Sequence, residues 1–243
     1  MIAIVGATHD DVLYFKSIVS NRREEEILGH YEVSIGTIFN QEVIIVDNLH
    51  TSILASAIIT DIINKYYINL IIVVGKCTAV SDGLKCGDIV IAKNIINANV
   101  DQLGVKNVVV GQIPTLPRDF SVQLDLIDYL VEGLNKRTYA NPNIATFLSS
   151  DNQLDFLKDN KTIFGVDGLI VMDSNSGGVA VACRLHDVPC VSIKVVEKVI
   201  GTEAKVDHYL KVLDQYVSIG KAVTSTIGDI GRNDILKGRT IYE

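Results

Sequence analysis

The sequence has no apolar run approaching the roughly 20 residues a helix needs to cross a bilayer, although 48% of its 243 residues are hydrophobic. That excludes a membrane span and, with so apolar a chain, disorder. The opening Met1 to Ala7 lacks the basic start of a secretory signal and runs straight into Thr8-His9-Asp10-Asp11, which points to a first strand and a cytoplasmic protein. Cysteine is scarce. The four present (Cys77, Cys86, Cys183, Cys190) show no CxxC or Cys/His spacing, so neither a metal site nor a disulfide framework is expected, only reduced and mostly buried thiols. Basic residues are outnumbered, 22 Lys+Arg against 29 Asp+Glu for a net charge of −7, which argues against a broad nucleic-acid face while leaving room for a local lysine cluster. No linker, repeat or low-complexity segment divides the chain, so one domain over 1–230 is expected, followed by a polar tail over 231–243.

The chain is organised around Gly168 to Lys198. Gly168 to Met172 reads as a buried strand, Asp173-Ser174-Asn175 as a polar turn, Gly177 to His186 as a small-residue helix, and Cys190 to Val196 as a second buried strand. Short Val/Ile runs separated by a helix-length segment belong to a sheet covered on both faces. Ligands of such sheets sit beyond the carboxyl ends of the strands. That rule singles out Asp173 to Asn175 and Lys194 to Lys198.

The rest of the chain repeats the alternation. A strand ending at Gly6-Ala7 leads to a helix with Val12, Leu13, Phe15 and Val19 facing the sheet. Asp10 and Asp11 fall in its first turn, where acids complement the helix dipole or where one of them points over the sheet end. Tyr31 to Ile38 and Val43 to Val46 read as a hairpin, Ser52 to about Lys65 as a helix with Ile53, Leu54, Ala57, Ile58 and Ile62 on one stripe, and Leu70 to Val74 as a buried strand. After it, Gly75-Lys76-Cys77-Thr78-Ala79-Val80 is a Gly-containing strand end that can cradle an anion through backbone N–H groups. Asp88 to Ala92 is a strand, Asn97 to Arg118 an irregular loop over the pocket, Ser121 to Leu134 an amphipathic helix and Ile144 to Leu148 a strand. Ser149-Ser150-Asp151-Asn152 follows it as another polar strand end, and a helix over about Lys205 to Ile230 closes the fold.

Several of these segments together resemble the nucleoside phosphorylase/nucleosidase superfamily, and within it the bacterial 5′-methylthioadenosine/S-adenosylhomocysteine nucleosidases. The resemblance spans nearly the whole chain. It rests on Ile2 to Ala7 followed by acids at Asp10 and Asp11, on Val74-Gly75 with Leu84 to Val90, and on Ala180 to Cys183 with Val188-Pro189 and Val191 to Val195. It implies an α/β fold: a single-domain three-layer sandwich with a central mixed, twisted β-sheet flanked by helices. It also implies a cofactor-free N-glycosidic hydrolase acting on a small nucleoside, and a homodimer in which a partner loop, here matched in position by Asn97 to Pro117, lines the 5′ end of the substrate.

In that family an acid after the first strand activates water, the glutamate of a Met-Glu pair holds the ribose diol, and the aspartate of a Ser-Asp pair protonates the purine. An arginine and a loop serine position the water. Carried onto this chain, the acid falls on Asp11, the Met-Glu pair on Ser174-Asn175, the Ser-Asp pair on Glu197-Lys198, the arginine on Lys194 and the serine on Lys76. Glu197 can take the missing aspartate's role if a bulge turns it toward the pocket. Lys198 can act as an acid only if its pKa falls by several units. Substrate contacts are expected from Lys76, Cys77, Asp151, Asn152, Gln153, Ser174, Asn175 and Lys194.

Two readings follow. In one, Asp11, Asn175, Lys194 and Glu197 make a rebuilt nucleosidase site. In the other, the chain is an inactive relative in which Lys76, Lys194 and Lys198 converge on an anionic nucleotide-like ligand, or it serves as a scaffold. The side chains at Asn175 and Lys198 favour the second.

Overall fold

Alternation along the first strand sets the layers. In the computed structural model, which describes residues 1–100, 105–138, 140–152, 164–202 and 206–233, β1 (Ile2–Gly6) is buried along its whole length. Ile2 and Ile4 join an apolar cluster with α1 (His9–Ile18), α3 (Leu124–Thr138) and α5 (Val206–Asn233). Ala3 and Val5 join another with α2 (Ser52–Lys65) and α4 (Ser176–Leu185). Successive side chains of a strand point to opposite faces, so each face of the sheet receives its own helical layer and the three-layer α/β sandwich results.

Ten strands form the mixed sheet. Besides β1 they are β2 (Ser20–Ile27), β3 (Tyr31–Ile38), β4 (Gln41–Val46), β5 (Leu70–Ala79), β6 (Ile89–Asn97), β7 (Asp119–Ser121), β8 (Asn143–Ser149), β9 (Ile170–Asp173) and β10 (Cys190–Val199). Their order is β2-β3-β4-β1-β5-β9-β8-β6-β10, with β7 on the flank of β6. β10 also pairs with β5 in parallel, so β5, β9, β8, β6 and β10 close a ring at one end of the sheet. β5 belongs to both the open sheet and the ring.

Some expected boundaries move, each for a physical reason. Gly75 to Ala79 is strand, because β10 pairs with it from Lys194↔Gly75 onward and β9 pairs with Thr78 and Ala79. Leu13 is 51% exposed and Ile53 81% exposed. The buried stripe of α2 is instead Ala55, Ile58, Ile59 and Ile62, because α2 packs on α4 as well as on the sheet. β2 and β7 lacked an apolar run to betray them, and β7 takes Ser121 from the start of the helix expected there. α5 continues to Asn233, into the segment read as tail; residues 234–243 lie outside the described residues. Among the described residues, no helix is long and apolar enough to cross a membrane.

Candidate active site

Asp11 shows how a local sequence pattern places a functional group. Thr8-His9-Asp10-Asp11 has the Thr-x-x-Asp spacing of a capping box, and Asp11 Oδ2 accepts a hydrogen bond from the Thr8 N–H at 2.8 Å. The two acids therefore part: Asp10 is exposed and Asp11 is 3% exposed. Tyr216 of α5 donates its hydroxyl to Asp11 Oδ1 at 2.7 Å. β5 makes room from the third side, because Gly75 sits at φ +137° and a Cβ there would come within 2.9 Å of the carboxylate. Burial first, and then the charge of Asp11, push the Tyr216 phenol far above the usual tyrosine range, so it stays a donor.

Glu197 lies where the β10–β5 register slips between Val196 and Lys198. The bulge that a turned Glu197 requires is present. Its carboxylate pairs with Lys76 Nζ at 2.7 Å, while its backbone carbonyl accepts from Cys86 Sγ at 3.0 Å. Burial works against the Lys76 charge, but Glu197, with Asp11 and Asp10 behind it, outweighs that and raises its pKa above the ordinary lysine value. Lys198, one residue past the bulge, is exposed.

Beneath these groups, Lys194 is 1% exposed. Its ammonium lies 2.6 Å from Asp173 Oδ2 and donates to Asn175 Oδ1 at 2.7 Å. Asp173 Oδ2 also accepts from the hydroxyl of Ser176, and Ser176 Oγ lies 2.9 Å from Ser192 Oγ. Cys77 sits between the two groups and feels the charges of Lys194, Asp173 and Glu197. Its thiol donates to the Val195 carbonyl at 3.6 Å, and burial above all drives its pKa well up, so it is no nucleophile. Asp173 Oδ1 and Asn175 Nδ2 are buried and have no hydrogen-bond partner among the described residues.

A third group joins through Ser52. Its hydroxyl donates to the Ser174 carbonyl at 2.9 Å and its N–H to Asp151 Oδ1 at 2.8 Å. Asn99 accepts from the N–H of Asp151 and the hydroxyl of Ser150, and the N–H of Asn152 donates to Ser150 Oγ. Gln153 lies outside the described residues.

The structure thus gathers Asp11, Lys76, Cys77, Ser174, Asn175, Lys194 and Glu197 beyond the carboxyl ends of β1 and β9 and along the inner residues of β5 and β10. The three lysines do not converge as free cations: Lys194 and Lys76 are each committed to a carboxylate, and Lys198 stands apart. Ser176, Ser192 and Tyr216 were not singled out from the sequence, and Asp173 was singled out only by its place after a strand, with no role attached. Tyr216 carried no local signal at all. Among the described residues no cluster of three or more His, Cys, Asp or Glu could hold a metal ion.

Comparison with known proteins places the fold. Over 209 residues the chain is 25% identical to the 5′-methylthioadenosine/S-adenosylhomocysteine nucleosidase of Staphylococcus haemolyticus, covering 85% of this chain and 90% of that one. The Bacillus pumilus enzyme of the same name is 25% identical over 218 residues, with 86% and 91% covered. Among solved structures, the Neisseria meningitidis nucleosidase in complex with methylthio-immucillin-A superposes with a TM-score of 0.83 at 18% identity, covering 94% and 98% of the two chains. The futalosine hydrolase of Helicobacter pylori superposes with a TM-score of 0.80 at 16% identity, covering 94% and 97%. Residues 1–227 match the model of the phosphorylase superfamily, and the chain belongs to that superfamily.

Proposed function

We propose that the protein hydrolyses the N-glycosidic bond of purine nucleosides of the 5′-methylthioadenosine and S-adenosylhomocysteine type, with Asp11 as the base that activates water. The observation that carries this reading is a carboxylate held through both oxygens in a site of negative formal charge: Asp10, Asp11, Asp173 and Glu197 against Lys76 and Lys194. Adding Lys198 leaves it negative. As the purine departs, the ribose becomes an oxocarbenium-like cation, and fixed negative charge stabilises a transition state of that sign. An anionic nucleotide, or the phosphate that a phosphorylase would need, calls instead for cations free to pair with it. The relatives at 25% identity, both nucleosidases of this type by name, support the same substrate class.

In this reading Asn175 meets the ribose diol. Its Nδ2 and Asp173 Oδ1 can serve a hydroxyl acceptor and a hydroxyl donor, once the side chains covering them yield. Glu197 faces the purine from its bulge and protonates the ring only after releasing Lys76 and taking up a proton from solvent. Lys198 carries no step. That none of the four cysteines forms a disulfide fits a reducing, cytoplasmic compartment. We place a second copy of the chain over a groove of about 700 Å3 between α2, α4 and the loop after β6, lined by Ile53, Val100, Ile113 and Val181. Ile53 stands on it almost bare.

The test is adenine release from methylthioadenosine and S-adenosylhomocysteine, with AMP alongside. Asp11→Asn is expected to lower turnover by about 100- to 10,000-fold, the usual worth of a general base. Undiminished turnover in that variant would remove Asp11 from the chemistry. No turnover in the wild type, with AMP bound more tightly than the neutral nucleosides, would replace this reading with that of a non-catalytic nucleotide binder.

A further inference from the structure

We infer that Tyr216 is the positioning residue of Asp11, and that the long helix α5 therefore controls the geometry of the base. This rests on the hydrolase reading above. A carboxylate with one anchored oxygen still rotates about its last torsion; with both oxygens held it cannot. Thr8 holds Oδ2 from within α1, and Tyr216 holds Oδ1 from 205 residues away.

The packing of α5 on α1 shows how the contact is enforced. Residues three or four apart share a helix face, so Tyr216 and Gly220 lie together on α5, as do Asp11 and Tyr14 on α1. At Gly220 a Cβ would stand 2.3 Å from the Tyr14 ring, so the absence of a side chain there lets the two helices approach closely. One turn away, that approach brings the Tyr216 hydroxyl to Asp11. Tyr14 is itself steadied edge-on against Phe15, with ring centroids 5.6 Å apart. The phenol is held in its neutral form by burial and by Asp11, with Glu197 and Asp10 adding to the effect. It can donate to the base but cannot replace it.

The experiment is a double-mutant cycle of Tyr216→Phe and Asp11→Asn, read by adenine release from methylthioadenosine together with thermal unfolding. Losing one hydrogen bond to a charged group should lower kcat by about 10- to 100-fold, with KM changed less than about twofold since the substrate contacts remain. In the Asp11→Asn background the same change should cost nothing further, because the two groups act as a unit. A role confined to stability would lower the unfolding temperature and leave kcat per folded molecule unchanged, overturning the inference. So would an equal loss in both backgrounds. If the wild type itself releases no adenine, the hydrolase reading falls and takes this role with it; if the wild type is active and Tyr216→Phe matches it, only the positioning role falls.

Discussion

Lys194 is an ammonium group almost out of reach of water, and such a charge survives only with a partner. Asp173 and Asn175 supply it at 2.6 and 2.7 Å. Replacing Lys194 with Met would leave the Asp173 carboxylate buried and uncompensated, at a cost of about 3–5 kcal/mol in unfolding free energy. Urea denaturation measures this, and Asp173→Asn in the same chain should return part of the loss. The sequence made Lys194 and Asn175 readable as positions, because they occupy the ends of an apolar strand and of a polar turn. It did not show that they bond to each other, nor that Asp173 neutralises the lysine. Pairing is a property of two strands brought together. Tyr216 is the extreme case: in a helix with an ordinary amphipathic pattern, a tyrosine that reaches a carboxylate 205 residues away looks like any other half-buried aromatic.

Among the elements, α4 was the most legible. Its run of Gly, Ala, Val and Cys between two Val/Ile strands fits a helix pressed against others, and Gly178 shows the reason: a Cβ there would fall 2.0 Å from the carbonyl oxygen of Ser52. Gly178→Ala must push α2 away from α4. Because the obstacle is backbone, the loss should reach or exceed about 3 kcal/mol, the upper end of the usual overpacking cost, as a lower midpoint in the same urea titration. Ser52 also donates to Ser174 and Asp151, so adenine release should fall with it even where the variant stays folded. The end of β5 was only partly legible. Gly75, Lys76 and Thr78 break its apolar run and suggest a loop, yet pairing with β10 and β9 carries the strand on to Ala79. Neighbouring strands overrode local composition there.

At the scale of the molecule, the layering followed from hydrophobic periodicity, while the ring closed by the second pairing of β5 did not, since no local pattern records which strand a distant strand will meet. The exposed side of α2 bears on assembly. Ile53, expected to face the core, stands 81% exposed beside the groove, where the second copy proposed above would cover it. Ile53→Arg should halve the mass seen by light scattering, from a dimer to a monomer, with little change in far-ultraviolet circular dichroism. A wild-type chain that is already monomeric would rule out the pairing.

The ring and the last helix also set the order in which the site can come into being. Asp11 waits for Tyr216, Lys76 for Glu197, and Asp173 for Lys194; each pair is completed by a residue from the last quarter of the chain. On the ribosome, where synthesis proceeds from the N-terminus, the first strands can pair while the site stays unassembled until β10 and α5 emerge. A nascent or prematurely ended chain would hold the first strands and none of the chemistry, with the ring still open and the main core lacking α5.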